Sequence, residues 1–293
     1  MTMRSRWWRL LLVLAVGGLL FGIAGTLGAA WWLTKPWPAP VGALPRDLRG
    51  ETVDIPWPRG VMRAWVLDGD GVSGAVVLLH GWRGCRRWML DRARFLLAAG
   101  YSVIAPDLPG HGESPADSVT FGLGEGAAVD AVLDCARRRF PGQPLGVIGL
   151  SLGGASFLMA RRDVRVQAVI FESVFPTLRQ ALVDRMHRFL GPAGSLLTPG
   201  LVAAFALLRG QSPDSVRPID RVASLGCPLL AMHGAQDLST PVPEVEEWFA
   251  RAAPPKELWI LDGAEHEDLC AAGGAEYRRR VLAFLARWLK KTR

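Results

Sequence analysis

The chain has 293 residues, of which 50% are hydrophobic and 21% are charged. This composition supports a sizeable hydrophobic core and excludes a chain that is disordered throughout. The formal net charge is +7, but the basic residues are scattered, and short runs such as Arg137–Arg139 are typical of solvated helix faces. No nucleic-acid-binding motif accompanies them, so we expect no nucleic acid partner and favour anionic lipid headgroups as the acidic neighbour.

The N-terminal segment contains an apolar run, Leu10–Leu33, without a charged residue. At about 1.5 Å per residue, a helix of this length crosses a hydrocarbon core about 30 Å thick. Residues 1–35 are therefore predicted to form a membrane anchor. A cleavable signal peptide is the alternative, although its apolar region is usually only about 7 to 15 residues long. Tryptophans flank the run on both sides, as at membrane interfaces: Trp7, Trp8, Trp31 and Trp32.

The charges on either side of this run predict its orientation. Arg4, Arg6 and Arg9 precede it, whereas only Lys35 follows it directly. Positively charged flanks tend to stay in the cytoplasm. We therefore expect a cytoplasmic N-terminus and a main domain on the opposite, extracytoplasmic side of the membrane.

Residues 36–50 are rich in proline and are predicted to be a stiff linker. Residues 51–293 then alternate short apolar runs with helical stretches, which is typical of a mainly parallel sheet covered by helices on both faces. The predicted strands are Glu51–Trp57, Val61–Leu67, Ala75–Leu79, Val103–Ala105, Leu145–Ile148, Ala168–Phe171, Leu229–Met232 and Leu258–Leu261. The predicted helices are Arg87–Ala99, Gly124–Arg139, Gly153–Arg161, Val242–Ala252 and Ala275–Lys290.

One interval, from Ser173 to Cys227, is too long for an ordinary connection between neighbouring parallel strands. It contains the helical stretch Leu178–Leu190 and the apolar run Leu201–Leu208. We predict a helical cap insert over residues 174–220. The cap either covers a functional site and meets lipid or consists of extra helices packed on the sheet, and apolar periodicity does not separate these interpretations.

The pattern Gly149–Leu150–Ser151–Leu152–Gly153 directly follows the predicted strand Leu145–Ile148 and opens a helical stretch. A G-x-S-x-G pattern at a sharp strand-to-helix turn is typical of an exposed nucleophilic serine, because glycines tolerate the crowded backbone. Ser151 is therefore the candidate nucleophile. A glycine-rich turn with an incidental serine is the alternative.

The turn His80–Gly84 follows the predicted strand Ala75–Leu79. A turn in this place can aim a backbone N–H group at the oxygen that becomes negative during acyl transfer. We expect the N–H groups of Trp82 and Leu152 to form such an oxyanion hole. The Trp82 side chain is also a candidate pocket wall.

Five segments, in this order along the chain, resemble the α/β-hydrolase superfamily, especially its esterase, lipase and serine-aminopeptidase-like branch. The resemblance covers about residues 50–290. It implies an α/β-hydrolase fold and a triad in the order nucleophile, acid, histidine, each on a loop after a strand. The matching segments are His80–Gly84, Pro106–Ser114, Gly149–Gly154, His233–Asp237 and Gly263–His266.

The resemblance also implies the other two members of the triad. Asp237, in an H-G-x-x-D stretch after a predicted strand, occupies the position of the family's acid. Asp262 is the rival acid, but it lies just before His266 at the end of its own predicted strand. His266 is the only histidine after Asp237, so the implied catalytic residues are Ser151, Asp237 and His266.

The implied chemistry is nucleophilic acyl transfer through an acyl-enzyme, which requires no metal and no organic cofactor. We predict a serine hydrolase that cleaves a carboxylic ester or thioester of a small-molecule or lipid acyl substrate. A serine peptidase of aminopeptidase type is one alternative, since fold alone does not decide the substrate. A non-catalytic binding protein with the same fold is the other.

The cysteine pattern is uninformative about chemistry. Cys85, Cys135, Cys227 and Cys270 show no C-x-x-C spacing, so neither a zinc site nor a redox motif is predicted. An exported domain would permit one disulfide. Buried free thiols are the default expectation.

Overall fold

A computed structural model describes residues 3–266 and 268–289. Residues 1–2 of the predicted anchor and 290–293 of the predicted domain, including the end of its last predicted helix, lie outside the described residues. The strands are β1 (Trp37–Pro38), β2 (Gly50–Trp57), β3 (Gly60–Leu67), β4 (Ala75–Leu79), β5 (Ser102–Pro106), β6 (His111–Gly112), β7 (Leu145–Leu150), β8 (Ala168–Glu172), β9 (Leu229–Gly234) and β10 (Lys256–Leu261).

The central sheet has the strand order β10-β9-β8-β7-β4-β5-β3-β2. The six strands from β10 to β5 pair in parallel, while β3 runs antiparallel to both β5 and β2. Strands β4, β5 and β8 are buried along their whole length. Their continuous apolar runs are explained by this burial on both faces. The mainly parallel sheet predicted from the sequence is therefore present.

Helices cover both faces of the sheet. They are α1 (Met3–Thr34), α2 (Leu90–Ala98), α3 (Leu123–Arg139), α4 (Leu152–Met159), α5 (Leu178–Leu190), α6 (Thr198–Arg209), α7 (Val242–Arg251) and α8 (Leu269–Trp288). The side chains of β4 alternate between the two layers, as period-two strand geometry requires. Val76 and Leu78 pack with α2 and α8, whereas Val77 and Leu79 pack with α3 and α4.

Two helices begin more than one residue away from their predicted first residue. The predicted helix from Arg87 begins instead as a 3-10 turn, Arg86–Met89, before α2 starts at Leu90. The last helix begins at Leu269 rather than Ala275, because Asp268 caps its first turn and accepts a hydrogen bond from the N–H of Cys270. A kink at Gly274 (φ 51°) separates this early segment from the rest of α8.

The long interval between β8 and β9 forms α5, a 3-10 turn over Gly191–Leu197, and α6, followed by shorter turns. The side-chain oxygen of Thr177 caps α5 by accepting a hydrogen bond from the N–H of Gln180. Helix α6 ends at Gly210, whose left-handed backbone conformation (φ 66°) is typical of a helix terminus. Leu201 and Phe205 bury one side of α6 in the core on the α3 and α4 side of the sheet.

The N-terminal helix has a free half and a packed half. Side chains from Trp7 to Gly25 are exposed, whereas Ala30 and Thr34 are fully buried against the domain. The segment after it, predicted as a stiff linker, contacts the domain through β1, which pairs in parallel with β6. All four cysteines are free thiols, and Cys85 and Cys270 are buried.

By length and apolar composition, two helical stretches of the described chain qualify as candidate membrane spans. Trp7–Thr34 has a mean hydropathy of 2.4, and none of its most apolar part is buried. Leu178–Arg209 has a mean hydropathy of 1.5, and 33% of its most apolar part is buried. Signal sequences and core helices of soluble proteins satisfy the same criteria. Since Leu178–Arg209 comprises α5 and α6 packed on the domain, we consider α1 alone as a span.

Candidate active site

Ser151 stands at the junction of β7 and α4 in a strained conformation, φ 46° and ψ −108°. Such a backbone costs about 1–3 kcal/mol in a non-glycine residue and is typical of functional sites. The surrounding structure stabilises it, since the N–H of Ser151 donates a hydrogen bond to the carbonyl oxygen of Glu172 over 2.7 Å. The turn therefore lifts the serine out of the regular path of strand and helix.

The glycines of the motif are required by close backbone contacts. A Cβ on Gly149 would lie 2.6 Å from Cα of Gly154, and one on Gly153 would lie 2.3 Å from the carbonyl oxygen of Leu79. Both distances are shorter than any side chain tolerates. The G-x-S-x-G pattern is thus explained by the crowding of α4 against β4 and β7.

The predicted acid and base are in contact. Nδ1 of His266 lies 2.7 Å from Oδ2 of Asp237, and Oδ1 of Asp237 accepts hydrogen bonds from the N–H groups of Ser239 (2.8 Å) and Thr240 (3.0 Å). Burial opposes ionisation of Asp237, but the hydrogen bond and charge of His266 outweigh it, so the pKa of Asp237 is lowered. The rival Asp262 is exposed in the turn after β10.

Ser151 and His266 open onto the same cavity of about 690 Å³. Gly81, Trp82 and Leu150 form part of its wall. The structure thus brings together the candidate nucleophile, the candidate base and the candidate oxyanion loop, while Asp237 contacts His266 from behind. Leu152 is buried at the first turn of α4, where backbone N–H groups lack partners within the helix.

The candidate oxyanion loop, His80–Gly84, is held by a buried histidine. Nδ1 of His80 lies 2.7 Å from the carbonyl oxygen of Gly81, and Nε2 accepts a hydrogen bond from the N–H of Leu108 over 2.9 Å. Burial lowers the pKa of His80 to about 3, so the ring is neutral. A neutral imidazole has one donor and one acceptor nitrogen, so Nδ1–H donates to Gly81.

A buried ion pair behind this loop was not identified from the sequence. Arg86 pairs with Asp107 through Nη1 and with Glu113 through Nη2, the latter over 2.5 Å. The N–H of Glu113 donates to Oδ2 of Asp107 over 2.8 Å. These contacts join the loops that follow β4 and β5. The segment Pro106–Ser114 was recognised as a family motif, but only the structure reveals its partner.

A second buried network supports the serine turn, and it too was missed. Arg92 of α2 contacts Glu172 through Nη2 over 2.5 Å and Asp268 over 2.6 Å. The hydroxyl of Tyr277 donates to Glu172 over 2.6 Å. Since the Glu172 carbonyl holds the N–H of Ser151, the network stabilises the backbone from which the candidate nucleophile projects.

The Trp82 side chain lies close to two guanidinium groups. The guanidinium carbons of Arg83 and Arg185 lie 4.1 Å and 5.2 Å from its ring centroid, within the range of cation–π attraction. Arg185 comes from α5 and lines the cavity, and burial lowers its pKa. Trp82 is therefore a wall of the cavity as well as a candidate backbone donor. Sequence reasoning did not single out Arg185, because its role depends on where α5 packs.

Comparisons with known proteins agree with this fold. Curated relatives named pimeloyl-[acyl-carrier protein] methyl ester esterase are 29% identical in Chromobacterium violaceum, over 67% of this chain and 88% of the relative, and 35% identical in Neisseria meningitidis serogroup B, over 65% of this chain and 85% of the relative. The Pyrococcus furiosus esterase Pf2001 superposes with a TM-score of 0.73 at 25% identity, covering 87% of this chain and 98% of that one.

A family model provides the assignment. The model described as the alpha/beta hydrolase family matches residues 76–289, which is well over half of the chain. The fold class and the family resemblance predicted from the sequence are therefore confirmed. This chain belongs to the alpha/beta hydrolase family.

Proposed function

We propose that this protein is a serine hydrolase that cleaves a carboxylic ester or thioester through an acyl-enzyme on Ser151. The observation that carries the proposal is the contact between His266 and Asp237 beside a cavity that Ser151 also lines. Relatives named as esterases, one of them the P. furiosus structure at 25% identity, support ester bonds over amides.

The proposed reaction has two steps. In the first, Nε2 of His266 takes the hydroxyl proton of Ser151 as the serine oxygen attacks the acyl carbon, and the leaving alcohol or thiol receives that proton. In the second, His266 takes a proton from water as the water oxygen attacks the acyl-enzyme, and it then gives that proton to the serine oxygen as the acid is released. Asp237 orients the imidazole and stabilises its protonated form.

The negative oxygen of each tetrahedral intermediate would be held by the N–H groups of Trp82 and Leu152. Removal of one such donor costs about 3–4 kcal/mol of transition-state stabilisation in a measured serine hydrolase. The hydrogen bonds of His80 to Gly81 and Leu108 fix the loop that carries Trp82. They support a backbone N–H of Trp82 that is already oriented before the substrate binds. The proposed acyl transfer uses only side chains and backbone N–H groups of this chain, so it requires no metal or organic cofactor.

Labelling with a fluorophosphonate tests the proposal, because this probe reacts covalently with activated serines. We expect labelling of the natural chain and none of the Ser151→Ala variant. Hydrolysis of a p-nitrophenyl ester compared with an aminoacyl p-nitroanilide then separates an esterase from an aminopeptidase. A folded natural chain that neither reacts with the probe nor hydrolyses either substrate would favour a non-catalytic binding protein.

We also propose that residues 1–35 anchor the chain in a membrane, with residues 36–50 joining the anchor to a hydrolase domain over 51–293 and a cap over 174–220. The exposed half of α1 and its hydropathy support the anchor. The orientation expected from the basic flank puts the domain on the extracytoplasmic side. Extraction with alkaline carbonate tests the anchor, since it leaves an integral protein in the membrane, and protection from added protease tests the orientation.

A further inference from the structure

Helix α1 and the cap helix α6 pack side by side and run in the same direction. A Cβ on Gly200 would lie 3.3 Å from Cγ2 of Thr26, so the helices approach closely there. Farther along both, Nε of Arg209 donates to Oγ1 of Thr34 over 2.8 Å. At about 1.5 Å per residue the two contacts are about 12 Å apart along α1 and about 14 Å apart along α6. The contacts therefore define a parallel pair in register.

The end of α1 is fastened to the domain at further points. The carbonyl oxygen of Thr34 accepts a hydrogen bond from the N–H of Val119 over 2.8 Å. The guanidinium carbon of Arg83 lies 3.7 Å from the ring centroid of Trp32, and Trp32 meets Trp82 edge to face with centroids 6.2 Å apart. The direction of α1 is therefore set by the folded domain and not by a flexible connection.

The end of α5 and the turn that precedes α6 expose large apolar side chains. Phe189, Leu190, Leu196 and Leu197, which we name the cap tip, are 76%, 55%, 81% and 45% exposed. Leu196 and Leu197 directly precede α6. Because α6 runs parallel to α1, its first residues lie beside the part of α1 that leaves the domain. A clustered apolar surface of this kind marks an interaction site.

The depth of the cap tip follows from the length of α1. A hydrocarbon core about 30 Å thick takes up about 20 helical residues. If the core begins at Leu10, directly after Arg9, it ends near Ala29. Thr26 then lies about 5 Å inside the hydrocarbon boundary. Gly200 packs beside Thr26, and Leu196 and Leu197 of the cap tip directly precede α6, so these two side chains lie at or below the membrane surface.

We propose that the cap tip inserts into the same lipid bilayer that α1 spans. This inference rests on the proposed anchor, and its partner is the bilayer itself. The depth matches the roughly 5–10 Å penetration of interfacial apolar helices. Exposed Trp31 and Trp32 follow Ala29 and lie at the level of the headgroups, where tryptophans are enriched.

The insertion has a consequence for the cavity. Arg185 lines the cavity from α5, and Phe189 of the cap tip follows it by four residues, about 6 Å along the axis. The cap wall of the cavity is thus one turn from lipid. An acyl substrate that partitions into the bilayer reaches this wall without crossing bulk water.

The test measures the depth of a probe at Leu196 in the full-length chain. Leu196→Cys carries an environment-sensitive fluorophore, and the chain is reconstituted into phosphatidylcholine–phosphatidylglycerol vesicles with or without doxyl-labelled lipid, which quenches on contact. The matched control is Val72→Cys, which is apolar and 65% exposed in the β3–β4 loop. The chain without either substitution measures labelling of the four native cysteines.

We expect the probe at 196 to emit at shorter wavelength and to be quenched several-fold more strongly than the probe at 72. Equal emission and quenching at the two positions would overturn the insertion. Carbonate extraction of the same vesicles distinguishes a chain that lacks the anchor from an anchored chain whose cap tip does not insert. An extracted chain overturns both anchor and insertion, whereas an integral chain with a solvated probe at 196 overturns the insertion alone. Fluorophosphonate labelling of Ser151 in these vesicles reports separately on the proposed activity.

Discussion

Nδ1 of His266 lies 2.7 Å from Oδ2 of Asp237, although 29 residues separate them along the chain. Asp237 is in turn held by the backbone N–H groups of Ser239 and Thr240. The carboxylate therefore has a fixed orientation before any substrate binds. Its contact with Nδ1 sets the tautomer of the imidazole and leaves Nε2 as the nitrogen available to accept a proton.

The first prediction concerns this pair. In Asp237→Asn the amide no longer stabilises the imidazolium or the correct tautomer, and we expect kcat for a p-nitrophenyl ester to fall about 10⁴-fold, by analogy with a measured triad. The control is Asp262→Asn, which removes an exposed carboxylate nearby in the sequence and should leave kcat close to that of the natural chain. A large loss in Asp262→Asn alone would reverse the assignment of the acid.

The second prediction concerns the packing of the serine turn. In Gly153→Ala the new Cβ would lie 2.3 Å from the Leu79 carbonyl oxygen, so strand and helix must separate. We expect the free energy of unfolding to fall by about 1–3 kcal/mol, as for other overpacked cores. In Gly81→Ala the Cβ would lie 3.4 Å from Cγ of Leu150, an ordinary contact, and should cost much less. Urea denaturation compares the two variants, and equal losses would contradict the crowding argument.

The third prediction concerns the network behind the turn. Glu172→Gln removes a fully buried carboxylate that contacts Arg92 and Tyr277. Among the described carboxylates, Asp268 then remains as the ion-pair partner of the buried guanidinium, and we expect the free energy of unfolding to fall by about 3–5 kcal/mol. Glu247→Gln breaks an exposed pair with Arg251 and should cost less than about 1 kcal/mol. Similar losses from both substitutions would show that burial of the network is unimportant for stability.

The fourth prediction concerns pH. Burial raises the pKa of Glu244, on α7, to about 8 and that of Asp184, on the cap helix α5, to about 6, and the charge of Asp184 adds to the rise at Glu244. Their values in the unfolded chain are about 4.3 and 3.9. The folded chain therefore binds more protons than the unfolded chain over the interval from about pH 4 to about 8.

Stability from this pair is fully present below about pH 4 and is lost as the pH rises through about 6 and 8. We expect the free energy of unfolding, measured with urea at pH 5 and at pH 8, to fall more in the natural chain than in Glu244→Gln, which cannot ionise at 244. An identical fall in both chains would assign the pH dependence to other groups.

Most of the architecture was predictable from local patterns. Short continuous apolar runs identified strands such as Ala75–Leu79, whose predicted bounds the structure reproduces. The G-x-S-x-G turn was predictable because its requirement for glycines is met by residues adjacent in the chain. The order of motifs also indicated Asp237 and His266 as a pair. The strands and the serine turn need only the identity and spacing of nearby residues, which a sequence carries directly, whereas Asp237 and His266 were implied by the family resemblance.

Only the tertiary structure reveals contacts between residues that are far apart in the chain. Arg92 and Glu172 are 80 residues apart in the chain, and nothing in either neighbourhood indicates the other. The parallel packing of α1 on α6 and the entry of Arg185 into the cavity likewise depend on which faces of two helices come together. A sequence encodes such contacts only through the closure of the whole core, because their free energy is gained when long loops have already been brought together.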